Sequence, residues 1–261
     1  STGSPMHDIS VHPVRAFADN YIWTLRRGGR AAVVDPGDAT PVLAYLEAQK
    51  LQLSAILNTH HHADHVGGNA QLLAHCKVPV YGPRDERIAT VSHRVGEGER
   101  FTLEDFGIEF QVLEIPGHTR SHIAFFGGGM LFCGDTLFAC GCGRLFEGTP
   151  AQMHASLAKL AQLPDATRVY CGHEYTLANI RFAKAAEAGN PELVKWEHAA
   201  AALRAQDEPT LPSTLAQERL ANPFLRCDEP AVIAAASRHA GKPLTDAVSV
   251  LGALREWKNK F

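Results

Sequence analysis

The apolar and polar positions of this chain fall into two regimes. Over the first two-thirds, short apolar runs bounded by turn residues predict strands at 9–17, 21–27 and 31–37, the last closing on Pro-Gly. Residues 41–50 carry helical spacing, 53–60 read as a buried strand, and 67–76 read as a helix opening on two glycines. Further strands are expected at 78–82, 110–118 and 168–173, and 121–136 reads as a hairpin with its glycines at the turn. A helix at 150–163 starts on Pro150, as helix N-termini favour. After residue 173 the strand pattern stops. Residues 175–191, 191–206, 230–241 and 245–260 all have helical spacing, and the first ends on the stop signal Gly-Asn-Pro. The pattern divides the chain into a mixed α/β domain at 6–173 and a helical domain at 174–261. Residues 1–5 read as the remnant of an expression tag ahead of Met6.

Composition narrows the class. An apolar share of 45% in 261 residues supports a sizeable core in one large domain with a smaller one. The formal net charge of -3, with both signs interleaved, leaves no basic footprint, so no nucleic-acid partner is expected. No apolar run approaches the roughly 18 residues of a membrane span, so no membrane partner is expected either. The six cysteines, Cys76, Cys133, Cys140, Cys142, Cys171 and Cys227, form no CxxC pair, and a chain of this size needs no disulfide staple. They read as reduced thiols of a cytoplasmic protein. A monomer is expected.

Candidate chemistry gathers where strands end: Asp35, the run from His60 to His65, His118, Asp135 and His173. In NTHHHADHVGG, His60 and His62 are two apart. On an extended segment they point the same way and can hold one Zn²⁺ with a ligand from elsewhere. Asp64 and His65 follow where the chain turns, within reach of a second metal, and Gly67 and Gly68 permit the turn. His61 lies between ligands and reads as solvated or packed, and His122 reads as a structural histidine. Asp35 reads either as a carboxylate supporting a ligand histidine or as a turn residue before Pro-Gly. Cys133 and Cys171 read as small buried hydrophobes, and Cys140 with Cys142 as part of a tight loop.

THHHADH resembles the HxHxDH signature of the metallo-β-lactamase superfamily, and VVDPG, IPGHT, FCGDT and GHEYT occur in that superfamily's order. Together, CGDTLFACGCGRLFEGT, CGHEYT, ANPFLR and a helical tail are similar to the glyoxalase II (hydroxyacylglutathione hydrolase) family over essentially all of 6–261. That resemblance implies an α/β (α+β) fold, the superfamily's αββα sandwich with a C-terminal helical domain. It implies two divalent metal ions. His60, His62 and His118 match one site, Asp64, His65 and His173 the other, and Asp135 the bridging carboxylate. Zinc is the expected metal, and iron or manganese suit the same donors.

The implied reaction is hydrolysis of S-(2-hydroxyacyl)glutathione, typically S-lactoylglutathione, to the hydroxy acid and glutathione, the second step of methylglyoxal detoxification. Asp64 and Asp135 are then catalytic as well as ligands, and a hydroxide shared by the metals attacks the thioester carbonyl. A thiolate, from a thiol with a pKa of about 8.5, leaves without a strong general acid. Arg144, Tyr175, Arg255 and Lys258 match the family's glutathione-binding positions, and the last two share one face of the final helix. Phe146 departs from the pattern, standing where other members carry Tyr. Rival readings are a lactonase or β-lactamase, a mononuclear iron sulfur dioxygenase, a nuclease, and a metal-stabilised binding module. The helical tail with its Arg/Lys pair argues against the first. The dioxygenase needs fewer ligands, and the nuclease a basic arm. A structural zinc is closed by four ligands, whereas seven ligand-type residues leave an open site.

Overall fold

The computed structural model describes residues 9–261, so the expected tag remnant at 1–5 lies outside the described residues. The chain packs as two compact units. One is the chain up to Glu114 together with Ser121–Gly134, and the other is Ile115–Arg120 together with Asp135–Phe261. Among the described residues, no helix is long and apolar enough to cross a membrane.

In the first unit, β1 (Ser10–Ala16), β2 (Asn20–Arg27) and β3 (Arg30–Val34) form an antiparallel meander. β1 lies at the sheet edge and carries Pro13, which an edge strand tolerates because not every N–H there is needed by a ladder. β2 lies inside the sheet and its first six residues are buried. α1 (Ala39–Gln49) carries the chain back so that β4 (Gln52–Leu57) pairs parallel to β3. Asp38 caps α1 by accepting from the Thr40 N–H at 3.0 Å, and Lys50 ends it in the left-handed region. After α2 (Ala63–Val66) and α3 (Asn69–His75), β5 (Val80–Gly82) and β6 (His93–Arg94) extend the sheet in parallel. Val33, Val42, Ile56 and Leu72 belong to the core of this layer.

A second antiparallel meander follows in the same unit: β7 (Arg100–Leu103), β8 (Ile108–Glu114), β9 (Ile123–Gly127) and β10 (Met130–Gly134). Gly128 and Gly129, at φ 58° and 74°, form the two-residue turn from β9 to β10. Phe101, Phe110, Phe125 and Phe132 interlock as a ring cluster, and Tyr81 of β5 stacks on Phe101 with centroids 4.0 Å apart.

The helix expected from Gly67 starts earlier and in two pieces. α2 begins at Ala63, inside the histidine run, so Asp64 and His65 ride on a helical turn. The glycines do not serve the turn either, since Gly67 and Gly68 have ordinary helical φ values of -60° and -87°. They are required by close approach. A Cβ on Gly68 would lie 2.6 Å from the Pro36 carbonyl oxygen, and one on Gly67 would lie 2.8 Å from that of Gly37.

The second unit opens with a hairpin of β11 (Leu137–Phe138) and β12 (Gly141–Cys142). α4 (Pro150–Ala161) follows, starting on a reciprocal capping box between Thr149 and Gln152. β13 (Arg168–Cys171) then leads into α5 (Thr176–Ala186) and α6 (Pro191–Ala205). β14 (Ser213–Thr214) pairs with β13, and α7 (Leu215–Ala221), α8 (Pro230–Ala240) and α9 (Ala247–Asn259) complete the unit. Phe182 packs against both Phe224 and Trp257, joining α5, the 223–225 turn and α9.

The connection between β11 and β12 is Ala139–Cys140, with Cys140 left-handed at φ 61° and fully buried. Buried turns have no water to satisfy their backbone. Helical side chains do so here. Asn179 donates to the Ala139 carbonyl at 3.1 Å, and Asn222 to those of Phe138 and Gly141 at 3.3 and 3.0 Å. Glu218 Oε1 accepts from the Cys140 N–H at 2.9 Å and from Asn222 Nδ2 at 3.0 Å, and its Oε2 from Ser213 Oγ at 2.5 Å. None of these donors is a cation, and burial pushes the Glu218 carboxyl up to about 7 from 4.5. Because the folded value lies above the unfolded one, this group's contribution to stability is fully present below about pH 4.5. It is lost as pH rises through 7. Glu218→Gln removes the titration. Its stability relative to the parent, from urea unfolding, is expected to grow between pH 5 and pH 8 by at most about 3 kcal/mol. Identical pH slopes in the two proteins would refute the assignment.

Candidate metal centre

The residues whose side chains could hold a metal ion include His60, His62, Asp64 and His65 in the first unit, with Asp35 beside His60 and His65, and His118, Asp135 and His173 in the second. Four of the expected ligands lie in the first unit and three in the second.

In the first unit, the chain leaves β4 at Leu57 and runs through the histidines into α2. Asp35, held left-handed at φ 54° just after β3, organises that run. Its Oδ1 accepts from the Thr59 N–H at 2.7 Å, and its Oδ2 from Thr59 Oγ1 at 2.6 Å. His65 Nδ1 lies 3.0 Å from the same Oδ2, and His60 Nδ1 lies 2.9 Å from Thr59 Oγ1. Thr59 spends its proton on Asp35, so its oxygen accepts from His60, and both rings carry their proton on Nδ1. Nε2 is then the bare acceptor of each. His65 Nε2 sits 3.3 Å from Asp64 Oδ2, while Asn20 Nδ2 donates to that same oxygen at 3.0 Å. His60 and His62 offer ligand atoms within 4.8 Å of one another. His60 is fully buried, and its other face stacks on His122 at 4.4 Å.

In the second unit, the same device recurs with a different partner. His118 Nδ1 bonds the Arg144 carbonyl oxygen at 2.8 Å. A carbonyl can only accept, so the ring's proton is there and Nε2 faces Asp135 Oδ2 at 3.5 Å. His173 Nε2 faces that oxygen from 3.3 Å. All three groups are buried. Each unit thus turns a bare ring nitrogen towards a carboxylate with the ring proton on the far side, at His65 in the first and at His118 in the second. That suits a cation, and the imidazole and carboxylate donors suit a borderline divalent ion.

The other residues singled out in the sequence fall as follows. Tyr175 stacks on His173, with centroids 4.8 Å apart and planes 2° apart. Phe146 is exposed and meets His118 edge-on at 5.2 Å. Arg144 is exposed. Lys258 is half-buried, and its ammonium is pushed down to about 8 by burial, then by Arg255, with a smaller push from Arg144. Arg255 is buried instead of lying on an open face. Its Nη1 donates to the Cys142 carbonyl, its Nε to Asn259 Oδ1 at 3.2 Å, and it covers the Phe224 ring at 5.4 Å. Cys171 keeps its proton, because burial raises its pKa strongly, and it donates to the His173 carbonyl at 3.6 Å. His122 is buried with Nδ1 on the Ile123 carbonyl. Asn20, Thr59 and the Arg144 carbonyl were not singled out in the sequence. Thr59 directly precedes the first ligand and could have been read as its partner. The other two act across the fold and leave no local signal.

A family model described as the metallo-beta-lactamase superfamily matches residues 17–173, and one described as the hydroxyacylglutathione hydrolase C-terminus matches 174–261. A hydroxyacylglutathione hydrolase of Nitrosomonas eutropha is 56% identical over 253 residues, covering 97% of this chain and 99% of its own. Among solved structures, ETHE1 from Myxococcus xanthus shares the fold, with a TM-score of 0.64 at 22% identity over 96% of this chain and 97% of its own. TTHA1623, solved in a di-iron-bound form, is 34% identical with a TM-score of 0.54 over 62% of this chain and 92% of its own. Matched in both of its parts and at that identity over nearly its whole length, the chain belongs to the hydroxyacylglutathione hydrolase (glyoxalase II) family, on the metallo-β-lactamase fold.

Proposed function

We propose that the chain hydrolyses S-(2-hydroxyacyl)glutathione, S-lactoylglutathione in particular, to the 2-hydroxy acid and glutathione. Family membership over 97% of the chain carries the reading. The His65 and His118 tautomers support it, because in each unit one of them turns Nε2 towards a carboxylate. We assign His60, His62 and His118 to one metal, Asp64, His65 and His173 to a second, and Asp135 to both. Zinc is our assignment for the pair, with iron and manganese as the alternatives the donors allow. Two ions so held supply hydroxide at neutral pH, where free water has a pKa of about 15.7, and charge for a carbonyl oxygen turning anionic.

The chain's own residues do the rest. Asn20 fixes the Asp64 carboxylate. Asp135 lies against both His118 and His173. We assign 6–173 as the catalytic domain and 174–261 as the substrate-binding domain. Arg144, Tyr175, Arg255 and Lys258 recognise glutathione, whose two carboxylates call for cationic donors. The departing group is a thiolate, so no side chain has to protonate it. The protein works in the cytoplasm, a reading its six free thiols support, as a monomer that takes neither nucleic acid nor membrane as partner.

The purified protein is expected to carry two metal ions by elemental analysis and to release thiol from S-lactoylglutathione. A chelator should stop release and zinc restore it. Two bound ions with no thiol release would discard the glutathione assignment and keep the metal centre. Asp35→Asn leaves one acceptor where Thr59 and His65 need two, and is expected to weaken metal retention by about 10–100-fold in chelator competition. Unchanged retention would show that Asp35 is only a turn residue. Lys258→Ala should raise KM more than it lowers kcat, because it meets the remote part of the substrate. Arg255→Ala should raise KM and also lower Tm, since its removal leaves the buried Cys142 carbonyl without that donor. A pure kcat loss in either variant would contradict the binding role.

A further inference from the structure

We infer that Glu218 is a positioning residue for the metal centre, acting through the β11–β12 hairpin. The inference rests on the ligand assignment above, on Asp135 and His118 in particular. The two ends of the hairpin both serve that centre. Asp135 stands at one end, and at the other the Arg144 carbonyl accepts the Nδ1 proton that fixes the His118 tautomer. The ends are locked together. The Gly143 N–H bonds the Thr136 carbonyl at 3.1 Å, and a Cβ on Gly143 would fall 1.9 Å from the Asp135 carbonyl oxygen. A shift of the hairpin therefore moves a carboxylate and the partner of an imidazole together.

What holds the hairpin is at its tip. The carbonyls of Phe138, Ala139, Gly141 and Cys142 and the N–H of Cys140 bond side chains of helices or their caps: Asn179, Asn222, Glu218 and Arg255. Glu218 is central to this set. Its Oε1 takes the Cys140 N–H at the tip and also the Asn222 amide. The Asn222 amide in turn reaches two tip carbonyls. Losing Oε1 would leave the Cys140 N–H buried without that acceptor and Asn222 without its orientation. A carboxylate buried among neutral donors is a poor choice for stability alone. Its placement is explained by the geometry it imposes.

The test compares two variants. Glu218→Gln keeps an acceptor at Oε1 and can turn its amide towards the Ser213 oxygen. Glu218→Met keeps the length and removes both acceptors. Three measurements apply: amide hydrogen exchange at Cys140 in metal-free protein, metal retention against a chelator, and steady-state kinetics with S-lactoylglutathione. In the Met variant, Cys140 exchange should quicken, metals should be held about tenfold more weakly, and kcat should fall about tenfold with KM within about twofold. The Gln variant should match the parent. If the Met variant quickens exchange yet holds metal and turns over like the parent, the hairpin is released without consequence and the inference fails. It also fails if both variants lose activity in step with their Tm, which marks a folding role. Should the Met variant not fold, Asn222→Ala, which frees the Phe138 and Gly141 carbonyls, is held to the same outcomes. A parent protein without metal or thiol release refutes the proposed function whatever the variants do. A normal parent with an unaltered Met variant refutes only the role of Glu218.

Discussion

The candidate ligands of the first unit depend on one buried carboxylate. Asp35 accepts from the Thr59 N–H, the Thr59 hydroxyl and the His65 ring, so it fixes where the chain goes after β4 and how two imidazoles face. It does so from a left-handed backbone, a conformation that aspartate tolerates better than most residues. The close passage of 36–38 against 64–68 follows from the same placement, and it explains glycine at 37, 67 and 68. A polar group this buried is worth its cost only when every acceptor position is used. Here the hydroxyl relay uses one oxygen twice, and a single side chain sets the proton position on two candidate ligands.

The second unit solves the same problem with main chain. His118 is oriented by a carbonyl, and that carbonyl is placed by a hairpin two residues wide at its turn. Carbonyls carry no side-chain chemistry, so the burden passes to whatever holds the hairpin. The amides of Asn179 and Asn222, the Glu218 carboxylate and the Arg255 guanidinium carry it. Arg255 shows the overlap most clearly. The residue matched to glutathione recognition is also a structural donor to Cys142.

Much of this was legible in the sequence where the signal is local. The parallel β3–α1–β4 passage, the Gly128–Gly129 hairpin and the long C-terminal helices follow from period and turn chemistry. The HxHxDH run announced a cluster that could hold a metal ion, because four imidazoles and a carboxylate have no core or surface rationale. The sequence left the choice for Asp35 open, and the structure sets its carboxylate 3.0 Å from the His65 ring, thirty residues away. Asn20, Glu218 and the Arg144 carbonyl stayed hidden for the same reason: their partners are 44, 78 and 26 positions away. The helix start was misread because Gly67 and Gly68 look like a turn signal. Their actual role is to let another backbone pass, which spacing along one chain does not report.

The cationic side of the second unit follows the same logic of deferred compensation. Lys258 is half-buried and titrates low because burial strips its water and because Arg255 and Arg144 add like charge. Folding alone gains nothing from such crowding, since each desolvated ammonium or guanidinium costs free energy. An arriving carboxylate reverses every one of these terms at once. It replaces lost water, screens the like charges and raises the Lys258 pKa, so ligand binding and proton retention on Lys258 are linked in sign. A surface lysine with full hydration would bind the same anion with less gain, because its solvation would be lost on contact instead of beforehand. Partial burial of Lys258 lowers the folded state's stability while it leaves a charge that an anionic group would stabilise. That trade is the counterpart, at a cation, of the buried Asp35 carboxylate that holds the candidate ligand His65.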